Sequence, residues 1–282
     1  MPELPEVETI MNGLKPHLEG AIIQDVVVRH HQLRWPIPPA LQKVLKQRRI
    51  SSLSRRGKYL LMPTDKGTVI IHLGMSGSLR LVTHSTPLNP HDHVDIIFTD
   101  DKILRYTDPR RFGALLWTTE DPKDHTLLKS LGIEPLDADF TSHYLMQRAY
   151  ARRVPIKSFI MNSKIVVGIG NIYAAEALFL AGIHPLTPAG LLTQIQCQQL
   201  VNAIKRVLES AIKQGGTTIK DFVNSEGKPG YFAQKLSVYA RTGLPCVRCQ
   251  NPLQQIKLGA RSTVFCTICQ PNQTTGTSRG EL

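Results

Sequence analysis

Four cysteines near the end of the chain limit its folding more than any other feature. Cys246 and Cys249 enclose two residues, Cys266 and Cys269 do the same, and sixteen residues separate the pairs. Two such pairs on tight turns can place four sulfurs tetrahedrally, each about 2.3 Å from one ion. The spacing falls in the range that marks a zinc site. A disulfide reading would need an oxidising compartment. The chain opens on acidic residues, without the positive and apolar segments of a secretory signal. One zinc ion is the preferred reading, and it is structural, because four thiolates leave no open position for chemistry. Between the pairs, "NPLQQIKLGARSTVF" reads as a β-hairpin with "GAR" near its tip. Arg241, Arg248, Lys257 and Arg261 fall in this module, and no acid occurs from Ala240 to Cys269. A rigid basic hairpin can press an arginine onto a phosphate; a zinc-stapled tail that adds only stability is the alternative.

Charge distribution repeats the hint. The 282 residues carry a net charge of +12. From Val26 to Thr64 there is no acid, against Arg29, Arg34, Lys43, Lys46, Arg48, Arg49, Arg55, Arg56 and Lys58. From Phe140 to Ala175 there is again none, against Arg148, Arg152, Arg153, Lys157 and Lys164. Each run fits a solvated basic face, and the two together fit the walls of a phosphate groove. No apolar run approaches the ~20 residues that a membrane span needs. A soluble, cytoplasmic protein without a membrane partner is expected.

The patterning gives an α+β chain. "PELPEVETIMNGLKPHL" has prolines suited to a first helical turn, acids that complement the helix dipole, and Val7, Ile10, Met11 and Leu14 on one face. Short β-rich runs follow: "AIIQDVVV", "KYLLM", "TVIIHL", "SLRLV", "HVDIIF", "KILRYT" and "ALLWT". Their number and spacing predict a sandwich or barrel. Helical patterning runs from about Thr141 to Gly215, with Cys197, Leu200, Ile204, Val207, Leu208 and Ala211 on one stripe. Cys197 is thus a core thiol. No internal repeats are visible. The expected boundaries are an N-terminal catalytic β-sandwich domain over 1–130, a helical domain over 131–235, a zinc finger over 236–270 and a disordered tail over 271–282.

Taken in order, "PELPEVE", "RRGKYL", "HLGMSGSLR", "YTDPRRFG", "VVGIGNIYAAEALF", "GKPGYF" and the four cysteines resemble the bacterial formamidopyrimidine-DNA glycosylases. The resemblance runs from Pro2 to Cys269, nearly the whole chain. It implies an N-terminal helix with a β-sandwich, then a helix–two-turn–helix element and the zinc hairpin. It also implies a bifunctional enzyme that removes oxidised purines from duplex DNA and then cuts the strand. In this family the initiator methionine is removed, so Pro2 becomes the terminus. A terminal amine titrates near 7.7–8.0 and a lysine near 10.4. At pH 7 roughly a tenth of the former is free base, against a few parts in ten thousand of the latter. Pro2 can attack the anomeric carbon and form an iminium by the logic of lysine Schiff bases. β- and δ-elimination then expel both flanking phosphates.

The resemblance assigns further roles. Glu3 is the general acid/base, and Glu6 more naturally organises the start of the helix. Lys58 contacts the lesion-side phosphate and aids base release. His72 and His93 contact phosphate too, with buried, hydrogen-bonded histidines as the alternative. The damaged nucleotide must be flipped out to reach Pro2; Met75 and Phe112 fill the gap, and Arg110 reads the opposite cytosine. Asn171 caps its helix and points toward phosphate, Glu176 supports the site near Pro2, and Lys157 and Arg261 pair with phosphates. The loop "TTIKDFVNSEGKPGYF" closes over the extruded base. The partner is double-stranded DNA bearing an oxidised purine or an abasic site, and the protein is taken as a monomer. The tail beyond Cys269 is longer than the family's usual end. Two rival readings are an oxidised-pyrimidine glycosylase of the endonuclease VIII type and a zinc DNA-binding protein without catalysis. The second predicts loss of Pro2, Glu3 or Lys58, and all three are present.

Overall fold

A computed structural model describes residues 2–215 and 236–272. The loop "TTIKDFVNSEGKPGYF" and most of the tail lie outside the described residues. The chain forms two compact units, one built on residues up to Ser130 and one on Leu131–Ser210 with the residues from 236 on.

In the first unit, α1 (Leu4–Leu18) precedes eight strands: β1 (Ile23–Val28), β2 (Ser54–Arg56), β3 (Tyr59–Pro63), β4 (Thr68–His72), β5 (Ser78–Val82), β6 (Asp92–Phe98), β7 (Ile103–Thr107) and β8 (Ala114–Thr118). A short helix, α2 (Leu41–Leu45), lies between β1 and β2. Two antiparallel four-stranded sheets result, ordered β1-β6-β7-β5 and β2-β3-β4-β8. Strand β3 shows why: Leu60 and Met62 are buried while Tyr59, Leu61 and Pro63 are partly exposed, the period of a strand with one face on a core. One apolar cluster joins Val7, Ile10, Met11 and Leu14 of α1 to Leu60 and Met62 of β3, Val69 and Ile71 of β4, and Ile96 and Phe98 of β6. All seven strands read from sequence are found. β2 and α2 were not read, since three polar residues and a five-residue "LQKVL" give too little period to recognise.

The second unit contains α3 (Ser142–Ala149), α4 (Ile156–Ile160), α5 (Asn171–Ala181), α6 (Gln194–Lys213) as far as Ser210, and the hairpin β9 (Gln254–Leu258) and β10 (Arg261–Phe265). Helix α5 is buried on every side from Ile172 to Phe179. Its C-cap, Gly182, has φ 69°, the left-handed stop that glycine supplies cheaply. Helix α6 opens on a reciprocal cap: Gln196 N donates to Thr193 Oγ1 at 3.2 Å, and Thr193 N donates to Gln196 Oε1 at 3.0 Å. Cys197 is wholly buried among the apolar residues of α6, as its stripe predicted. Among the described residues, no helix is long and apolar enough to cross a membrane.

Candidate active site and nucleic-acid interface

Pro2 and Glu3 lie buried at the entrance to α1. Glu6 is fully buried and its Oε2 accepts from Glu3 N at 2.8 Å. Glu6 thus organises the helix start, the part preferred for it from the sequence.

Lys58 sits with Gly57 in the two-residue loop that closes β2 onto β3, where Arg56 faces Tyr59. Gly57 has φ 57°, a conformation that tight hairpins give to glycine. The structure thus puts Lys58 at a hairpin tip. Arg55 fixes that hairpin. Its Nε donates to Glu8 Oε2 of α1 at 2.7 Å, and its NH1 donates to the Gly57 carbonyl at 2.9 Å. The sequence gives no sign that Arg55 and Glu8 pair, because each reads as an ordinary surface charge.

His72 ends β4 with its ring 4.7 Å from that of Tyr59. Burial, then the nearby Lys58 and Arg34 charges, hold its pKa down to about 4 against a weaker pull from Asp108. The imidazole is therefore neutral near pH 7. Its Nδ1 accepts from Gly74 N at 3.1 Å, which sets the turn leading to Met75. Met75 is 39% exposed although Leu73, Gly74, Ser76 and Gly77 around it are buried. Phe112 is 44% exposed, and the Arg110 guanidinium lies 4.8 Å over its ring. His93 takes the alternative left open for it: it is buried, and its Nε2 lies 2.8 Å from the Asp108 carbonyl oxygen. This hydrogen bond fixes the loop that carries Arg110.

In the second unit a cleft of about 240 Å³ is lined by Lys157, Ser158, Asn171, Leu258, Arg261 and Thr263, among others. Lys157 is 1% exposed. Its ammonium donates to Asn171 Oδ1 at 2.7 Å, to Thr263 Oγ1 at 2.8 Å and, more weakly, to the Ser262 carbonyl at 3.5 Å. Asn171 does not cap α5 with its side chain, contrary to the sequence reading. Gly170 is the N-cap, and the Asn171 Nδ2 donates to the Ser262 carbonyl at 3.1 Å. The amide is drawn away from the helix end because the lysine and the hairpin carbonyl offer stronger partners. Arg261 opens β10 and is exposed beside the loop Gly259–Ala260, so the hairpin tip is basic as read.

Glu176 was expected to support the site near Pro2. Its carboxylate accepts from the backbone N–H groups of Ser237, Val238 and Tyr239 at 2.8, 2.9 and 2.8 Å. A buried carboxylate that meets three amides has a structural task of its own: here it anchors the segment entering the cysteine module.

The four cysteines converge. Their sulfurs all lie within 4.8 Å of one another, with Cys246–Cys269 at 3.9 Å and Cys249–Cys266 at 3.5 Å. Two sulfurs bound tetrahedrally to one zinc are about 3.8 Å apart. Backbone N–H groups of Arg248 and Cys269 donate to the sulfurs of Cys246 and Cys266, each at 3.4 Å. Burial pushes the Cys269 thiol up, as do its bonds to Cys249 and Cys246, to about 12. Sulfurs this close cannot all ionise without a cation among them, so the donor set fits a divalent, thiophilic ion.

Comparison with known proteins covers nearly all of the chain. Residues 1–115 match the formamidopyrimidine-DNA glycosylase N-terminal domain, residues 131–223 the H2TH domain of the same enzymes, and residues 243–272 the zinc finger found in FPG and IleRS. A Psychromonas ingrahamii protein named formamidopyrimidine-DNA glycosylase is 54% identical over 270 residues, covering 96% of this chain and 100% of its own. The Lactococcus lactis Fpg, solved in complex with DNA containing an abasic site, superposes with TM-score 0.89 at 34% identity, over 96% of this chain and 100% of the other. MutM in complex with DNA containing carbocyclic 8-oxo-G gives TM-score 0.89 at 35% identity, with the same coverage.

Proposed function

The chain belongs to the formamidopyrimidine-DNA glycosylase family, and from that premise we infer that it excises oxidised purines from duplex DNA and cuts the strand at the same site. The single zinc ion is structural. Cys246, Cys249, Cys266 and Cys269 hold it, and it stiffens the hairpin bearing Arg261.

Chemistry falls to the chain's own groups. The Pro2 nitrogen attacks the anomeric carbon, and the glycosidic electrons leave with the base. Glu3 gives a proton to the sugar ring oxygen as the ring opens, and the iminium forms on Pro2. Loss of a proton from the neighbouring carbon then expels one phosphate, and a second elimination expels the other. Lys58 holds the phosphate beside the lesion. In the second unit, Lys157, Asn171 and Arg261 form a phosphate cradle. His72 acts as a neutral imidazole: it carries no charge to a phosphate and steadies the Met75 turn. The protein acts as a monomer in the cytoplasm, and domain limits near 130, 235 and 270 divide the work among catalysis, DNA positioning and the finger.

The observation that carries this reading is the exposure of Met75 and Phe112. Met75 stands alone out of a turn whose neighbours are buried, and Phe112 ends an exposed run, residues 109–112, that includes Arg110. A protein that extrudes a nucleotide must fill the space left behind, and these two residues suit that task with Arg110 beside them. The test is incubation with duplexes carrying 8-oxoguanine, a formamidopyrimidine or an oxidised pyrimidine. Purine lesions should be processed to a one-nucleotide gap faster than the pyrimidine lesion. The reverse order would assign the chain to pyrimidine repair.

A further inference from the structure

The loop bearing Met75 and the loop bearing Arg110 and Phe112 come from different parts of the sequence, yet they are interlocked. Asp108 is wholly buried between them. Its Oδ1 accepts from Ser76 Oγ at 2.7 Å. Its Oδ2 accepts from Gly113 N at 2.9 Å and from the Tyr106 hydroxyl at 3.2 Å. Ser76 Oγ in turn accepts from Arg110 N at 3.2 Å. A single hydroxyl therefore links the Met75 turn to both the carboxylate and the backbone of Arg110. The backbones also touch: a side chain at Gly74 would overlap the peptide joining Phe112 to Gly113.

The second loop is strained. Arg111 has φ 56°, left-handed for a residue with a Cβ. Such a conformation persists where its surroundings over-determine it. Here Arg111 N donates to the Asp108 carbonyl at 3.2 Å, and that carbonyl oxygen also faces His93 Nε2 at 2.8 Å. The strain and the hydrogen bonds together fix the direction in which Arg110 leaves the loop.

We propose that Ser76 and Asp108 are positioning residues that make the two loops one rigid probe, so that Arg110 meets the orphaned base in a register set by Met75. Neither residue needs to touch DNA. The inference rests on the reading that Arg110 recognises the opposite base. Its bland rival is that Asp108 is a satisfied buried carboxylate serving stability alone.

The two are separated by single-turnover rates of base release from duplexes with 8-oxoguanine opposite cytosine and opposite adenine. Loss of folded protein scales both rates equally and leaves their ratio alone. Loss of register lowers the ratio. In Ser76→Ala, loss of both hydrogen bonds of the hydroxyl should lower the cytosine-over-adenine preference at least about fivefold, toward the value of Arg110→Ala. Asp108→Asn, which sets an amide N–H against donors, should lower it as well. Ser76→Thr keeps the hydroxyl and should retain the preference of the unaltered chain. Equal scaling of both rates in Ser76→Ala and Asp108→Asn would overturn the proposal. An unaltered chain that releases the lesion without preferring cytosine would overturn it too, leaving the glycosylase reading intact. No release opposite either base would sink that reading itself.

Discussion

Arg55 Nε lies 2.7 Å from Glu8 Oε2, and this ion pair ties the hairpin that presents Lys58 to the helix that begins behind Pro2 and Glu3. The arginine side chain is 9% exposed and the carboxylate 20%, so the pair is shielded far better than a surface bridge. Removing one partner strands the other charge.

Arg55→Ala should cost about 1–2 kcal/mol of stability, below the cost of breaking a fully buried pair. Base release should slow as well, because Gly57 also loses its anchor. Urea denaturation and a single-turnover assay measure the two. Unchanged values in both would show that the hairpin holds itself.

Acid should weaken the first unit in two stages. His72 has its pKa lowered to about 4, chiefly by burial. An unfolded histidine near 6.5 binds its proton first, so stability falls as pH drops from about 6.5 to about 4. Asp95 follows. Burial raises its pKa, but hydrogen bonds from Arg105 and Arg29 outweigh that and hold it below the usual carboxylate range. Its stabilisation is present above about pH 4 and disappears as pH falls through the lowered value. Thermal melts from pH 7 to pH 2.5 should lose the first limb in His72→Asn and the second in Asp95→Asn. Parallel curves for all three proteins would contradict this.

Arg261→Ala should weaken DNA binding about equally for damaged and undamaged duplexes and reduce the salt slope by about 1. Zinc content should stay at one ion per chain. Retained affinity with an unchanged slope would remove Arg261 from the interface.

Stripping the zinc with a chelator should abolish DNA binding and release one metal ion per chain. Elemental analysis and a band-shift assay follow the two together. Unimpaired binding by the stripped protein would reduce the finger to a stabilising tail.

What the sequence made legible followed from chemistry that spacing encodes. Two Cys-x2-Cys pairs predict converging sulfurs, and alternation predicts strands such as β3. What it hid were side chains whose partners lie far away in the chain. Asn171 reads as a helix cap until Lys157 and the Ser262 carbonyl, 91 residues away, draw its amide off. Glu176 looks anomalous in an apolar helix, and only the fold brings Ser237, Val238 and Tyr239 to it. Asp108, ahead of a proline, resembles an ordinary turn residue. Its bond to Ser76 spans 32 residues and leaves no local trace. The converging cysteines were readable, and partners far apart in the chain were not.

The central claim is that the N-terminal secondary amine of Pro2 carries the reaction through an iminium. Borohydride reduction during turnover of an 8-oxoguanine duplex, followed by peptide mapping, tests it most directly. The account predicts one adduct, on the proline nitrogen of a chain that has lost Met1. An adduct on a lysine, or full strand scission by protein that retains Met1, would contradict it.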